Sequence, residues 1–76
     1  MITVKLYGLL RIESGIKEKT VQATTVQEVL DCMAAWEIPR TALKACVILV
    51  NGRPAGKRTT LNDGDTVVLM SPIAGG

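Results

Sequence analysis

The chain has no histidine and no phenylalanine, and its 76 residues include one tryptophan, one tyrosine and two cysteines. Each scarcity closes off a class of chemistry. Without histidine, a metal centre of the usual Cys/His kind cannot be assembled from this chain alone. Cys32 and Cys46 stand fourteen positions apart, outside any Cys-x-x-Cys unit. Cys32 falls in a helical pattern and Cys46 starts a strand, so both read as small buried thiols, with no partner evident that would activate either as a nucleophile. With Tyr7 and Trp36 as the only aromatics, there is no platform on which bases could stack. The net charge of +2 is too small to argue for nucleic acid. The one local basic cluster, Arg53 with Lys57 and Arg58, reads as a solvated loop. No apolar run approaches the ~18 residues that cross a bilayer. The start, Met1-Ile2-Thr3-Val4-Lys5, lacks the basic-then-apolar order of a secretory signal. These absences lead us to expect a cytoplasmic protein that binds neither nucleic acid nor membrane.

What is present suits one small domain. Hydrophobic residues make up 47% of the chain and charged residues 21%, a composition that supports a packed core without staples. Ile2, Val4 and Leu6 alternate with Thr3, Lys5 and Tyr7, the period of a half-buried strand. Residues 9–15 read as a turn or short loop, and 16–22 as a second strand with Val21 as its inward anchor. The short connection favours an antiparallel hairpin. Thr25 and Glu28 then match a capping box. Val26, Val29, Leu30 and Met33 follow at the spacing of an amphipathic helix that runs to residue 36 or 37, with Pro39 as its stop. Trp36 flanks that apolar stripe as a core plug. Residues 46–50 form a β-branched strand closed by the turn Asn51-Gly52. Residues 53–60 are a polar excursion with room for a short edge strand. Leu61-Asn62-Asp63-Gly64-Asp65 is a tight turn with Gly64 suited to positive φ, and 66–71 form the last strand.

A hairpin followed by a single helix must bury the helix stripe on one face of its sheet. Placing the last strand beside the first, in parallel, lets both bury their apolar residues with the helix inside the crossover. The expected fold is therefore α+β: a β-grasp mixed sheet of four to five strands on one main helix over residues 1–72. Residues 73–76 form a flexible C-terminal tail. That tail, Ile73-Ala74-Gly75-Gly76, adds nothing to a core. Glycines without Cβ atoms can instead thread a narrow channel and present the Gly76 carboxylate to another protein's active site.

Three segments carry a family resemblance: Val50-Asn51-Gly52, then Leu61-x-Asp63-Gly64-Asp65-x-Val67, then Pro72-Ile73-Ala74-Gly75-Gly76. Together they resemble the ubiquitin-like sulfur carriers of the MoaD/ThiS type over the whole chain. The tail is most similar to that of the molybdopterin synthase small subunit, with Ser71 and Ile73 where proline and valine are common. Leu69 and Met70 stand where aromatic residues often precede that tail.

The resemblance implies a protein cosubstrate and not an enzyme. A MoeB/ThiF-type enzyme would use ATP to adenylate Gly76, and sulfur from a persulfide donor would convert it to a thiocarboxylate. The acceptor would be a MoaE-type large subunit of molybdopterin synthase. The carrier itself would hold no cofactor and no metal. Ile73, Ala74 and Gly75 would lie in the partner's channel, and the candidates for docking are Leu69 or Met70, whichever faces outward, with Leu61 and Pro72. Three other readings stay open: a carrier for thiazole, amino-acid or tRNA thiolation; a ubiquitin-like modifier of lysines; and a β-grasp scaffold with an incidental glycine tail.

Overall fold

The alternating Ile2, Val4 and Leu6 build β1 (Ile2–Gly8) and turn inward, where all three are buried. The computed structural model describes residues 1–36, 38 and 46–71. After β1 come α1 (Leu9–Ser14), β2 (Glu18–Val21), α2 (Val26–Ala34), β3 (Val47–Val50), β4 (Arg53–Pro54) and β5 (Thr66–Ser71). The five strands form one mixed sheet in the order β2-β1-β5-β3-β4. β5 lies parallel to β1, from Thr3 opposite Thr66 to Gly8 opposite Ser71, and antiparallel to β3. The β1–β2 hairpin is antiparallel, with Ile2 opposite Val21. This is the expected β-grasp.

α2 buries the four residues that its spacing singled out, Val26, Val29, Leu30 and Met33. They meet Ile2, Val4 and Leu6 of β1, Val67 and Leu69 of β5, and Leu10, Ile38 and Leu61 in one core cluster. Each such side chain contributes about 1.5–3 kcal/mol on burial. Thr25 caps the helix by accepting the Glu28 backbone N–H at 3.3 Å. The Glu28 carboxylate reaches one residue further back than a reciprocal box requires. Its Oε1 accepts the Thr24 N–H at 2.7 Å and the Thr24 hydroxyl at 2.5 Å. These bonds, the hydroxyl's first, hold the Glu28 carboxyl below the usual range.

The structure differs from expectation in places that share a cause. Residues 9–14, expected as loop, form α1, closed by Gly15 at φ 72°, whose N–H donates to Arg11 O at 3.0 Å. Leu10 is buried against the core, and this tertiary contact stabilises a helix too short to show a period. β2 is shorter than the expected 16–22. α2 ends at Ala34, and the chain tightens into a last turn through Ala35 N–H to Cys32 O and Trp36 N–H to Met33 O. Trp36 packs partly buried against the core, with the Lys19 ammonium 5.1 Å from its ring centroid. The expected stop at Pro39 lies outside the described residues.

Candidate functional site at the end of the last strand

β5 carries the chain through the middle of the sheet to Ser71. Pro72 and the tail residues Ile73, Ala74, Gly75 and Gly76 lie outside the described residues, so the site is built here from its root. At that root Gly8 pairs with Ser71 on the last rung of the β1–β5 ladder. Gly8 has φ 68°, and a Cβ placed there would lie 2.2 Å from the Ser71 carbonyl oxygen. Only glycine fits so close an approach of two backbones. Ser71 is buried, and its Oγ accepts the buried N–H of Leu10 at 3.1 Å. The first turn of α1 has no cap from its own neighbourhood. Ser71 provides one from across the molecule, binding the end of β5 to that helix.

The docking candidates separate by face. Leu69, fully buried, and Leu61, 5% exposed, belong to the core. Strand alternation turns Leu69 toward α2, and Leu61 N–H is held to Thr24 O at 2.8 Å. Both are therefore corrected from docking to packing residues. Met70, 41% exposed, points away from the core. It stands between Tyr7 on β1 and Val47 on β3, its register partners, and both are exposed too. The result is a row of three apolar side chains across three strands, ending two positions before Pro72. Sequence reasoning missed Tyr7 and Val47, although the alternation of β1 already put Tyr7 on the outer face.

A second feature of this end is electrostatic. Lys5, Tyr7, Arg11, Lys17 and Glu18 line a recess of about 80 Å³ beside Leu6. The three cations are far apart in sequence, so only the fold reveals the group. At the opposite end of β5, two turns are bound together. Asp65 accepts Asn62 N–H at 2.8 Å and the Asn51 side-chain amide at 3.0 Å, while Asn51 Oδ1 accepts Thr66 N–H at 3.0 Å. The Asn62 and Asn51 donors, in that order, hold the Asp65 carboxyl below its ordinary range. Asn51 and Gly52 both have positive φ, at 51° and 83°, the requirement of a two-residue hairpin turn. The Asn-Gly and Leu-x-Asp-Gly-Asp signals thus form one structural joint.

Among the described residues no group of three or more His, Cys, Asp or Glu is placed to hold a metal. Cys32 and Cys46 are both partly buried, where full burial was expected. Burial pushes the Cys46 thiol up, away from the thiolate. No helix among the described residues is long and apolar enough to cross a membrane.

A β-grasp sheet whose central strand delivers a diglycine segment defines the ubiquitin-like sulfur carriers and modifiers. The ThiS family profile matches residues 4–76, and the chain belongs to that family. No curated protein matches it. Solved structures with the same fold include the small archaeal modifier SAMP1 of Haloferax volcanii (TM-score 0.82, 23% identity, 99% of this chain and 98% of that one). A chain of the BexX/CysO complex of Amycolatopsis orientalis is similar as well (TM-score 0.78, 24% identity, 100% of both). So is a chain of the complex of subunits 1 and 2 of the molybdopterin-converting factor from Helicobacter pylori (TM-score 0.76, 24% identity, 99% and 97%). At these identities the likeness is one of fold. Two of the three were solved bound to a partner protein.

Proposed function

We propose that the chain is a sulfur carrier whose reactive group is the Gly76 carboxylate, and that its sulfur goes to molybdopterin synthesis. The observation that carries this reading is the family match, which runs through β5 to Gly76 itself. A free carboxylate resists acyl transfer, so activation falls to a MoeB/ThiF-type enzyme. Its oxygen attacks the α-phosphorus of ATP, and pyrophosphate leaves. A persulfide sulfur then attacks the acyl carbon and AMP leaves; a thiol cleaves the resulting acyl disulfide to give the thiocarboxylate. The carrier contributes reach and recognition, and the partner contributes the acid–base groups. In this reading it holds no cofactor and acts as the non-catalytic small subunit of a synthase, with a MoaE-type large subunit as acceptor. Pro72 to Gly76 support this acceptor through their likeness to the synthase small-subunit tail.

Docking uses the row Tyr7, Met70 and Val47, an apolar centre beside the point where the tail leaves. The test is intact mass after incubation with ATP, a persulfide donor and the adenylating enzyme. The native chain gains the difference between one sulfur and one oxygen. A chain lacking Gly76 stays folded and gains nothing; a thiocarboxylate on that truncated chain would refute the assignment. A second reading, a modifier joined to lysines, is favoured by similarity to the small archaeal modifier of Methanosarcina acetivorans (TM-score 0.71, 25% identity, 99% of this chain and 95% of that one). It predicts a ladder of adducts resistant to thiol reagents.

A further inference from the structure

We infer that the basic recess between β1, α1 and β2 receives a carboxylate-bearing segment of the protein that grips the tail. The inference rests on the carrier reading and adds to it the charge of the partner. Reach supplies the first argument. The five residues 72–76 span at most roughly 17 Å when fully extended. An active site that holds Gly76 must therefore bring its own surface against the rim of the sheet around Ser71. Tyr7 lies on that rim, one rung from Ser71, and belongs both to the apolar row and to the wall of the recess.

Charge supplies the second argument. Among the described side chains Glu18 is the one carboxylate that lines the recess, and Lys5 is its register partner on β1. Among the described side chains, which do not include that of Glu13, neither Arg11 nor Lys17 has a carboxylate within ion-pair distance, and the single pair joins the Met1 ammonium to Asp63. Lys17 is anchored at its backbone, its carbonyl accepting the Leu6 N–H at 3.1 Å. Two exposed cations thus flank a concave site next to an apolar docking row, which is the pattern of an interface rim.

Size and chemistry select the occupant. At about 80 Å³ the recess is far below the roughly 300–1,000 Å³ of small-molecule pockets, and it suits the head of an Asp or Glu side chain. A single aromatic at its wall gives no stacking platform for nucleic acid. The occupant is an acidic segment on the partner, beside the mouth of the channel that takes the tail. Such a contact acts mainly on the rate of encounter.

Association of the carrier with the MoeB/ThiF-type enzyme of the same genome tests this, measured by stopped flow from about 25 to about 500 mM NaCl. Native association should slow roughly tenfold or more across that range. The double variant Arg11→Glu, Lys17→Glu should associate at least about tenfold more slowly at low salt, with a flattened salt dependence and little change in dissociation. Arg11→Gln, Lys17→Gln should fall between, and thermal melts establish that each variant is folded. The control is Arg53→Glu, Lys57→Glu, an equal change of net charge at the sequence's other basic cluster. Equal slowing by both charge-reversed pairs, or by neither, overturns the recess while leaving the carrier reading in place. Failure of the native chain to gain sulfur mass with that enzyme removes the carrier reading itself, and the recess with it.

Discussion

Two residues decide how the last strand meets the start of α1. Gly8 is required because any side chain there would collide with the Ser71 carbonyl. Ser71 satisfies a buried donor that has no local partner. Removing the hydroxyl leaves Leu10 N–H desolvated and unpaired, a cost of about 1–3 kcal/mol. Ser71→Ala should therefore lower the unfolding free energy from urea melts by that amount, with a matching fall in midpoint, and Ser71→Thr should recover part of it by keeping an acceptor. An unchanged midpoint in the alanine variant would mean that water replaces the bond. None of this is legible in the sequence. The partners are 61 positions apart, and a serine before a proline reads simply as the end of a strand.

At the scale of elements, legibility follows the length of the repeat. α2 shows its buried face through four apolar residues at helical spacing, and β5 shows itself as a strand through a continuous apolar run bounded by Asp65 and Pro72, although that run does not reveal which face is buried. α1 spans six residues and owes its form to Leu10 finding the core, which no local pattern records. The Asn-Gly and Asp-Gly-Asp turns were readable as turns, but their mutual bonding appears only once β3 and β5 are neighbours. That joint carries a pH signature. The Asp65 carboxyl is lowered in the folded state, so its contribution is present above the ordinary carboxylate range. It is lost as acid protonates the folded group. The stability gap between the native chain and Asp65→Asn should be widest near neutrality and close below about pH 4. Urea melts across that range measure it, and a gap that widens in acid would contradict the assignment. Glu28 titrates in the same sense at the N-terminus of α2.

For the whole molecule, the sheet separates buried from exposed apolar residues by face. Leu69 and Met70 are adjacent in sequence and opposite in consequence. Met70→Glu should shift stability by only about 0.5 kcal/mol, yet weaken binding to the adenylating enzyme. Leu69→Ala should cost about 2–5 kcal/mol through the cavity it leaves. Calorimetric titration beside thermal melts distinguishes the two, and a Met70→Glu chain that loses stability but keeps its affinity would move docking elsewhere. The glycine tail was suggestive in the sequence, whereas the apolar row could not be read there, because Tyr7, Val47 and Met70 come from three strands. Spatial order also has a bearing on biosynthesis. β5, which follows the other four strands in chain order, is the one inserted between β1 and β3. A nascent or proteolysed chain that stops before Thr66 leaves two strands without their common neighbour and Val67 and Leu69 missing from the core. The row of Tyr7, Met70 and Val47 therefore exists only on a chain whose β5 is already in place between its two neighbours.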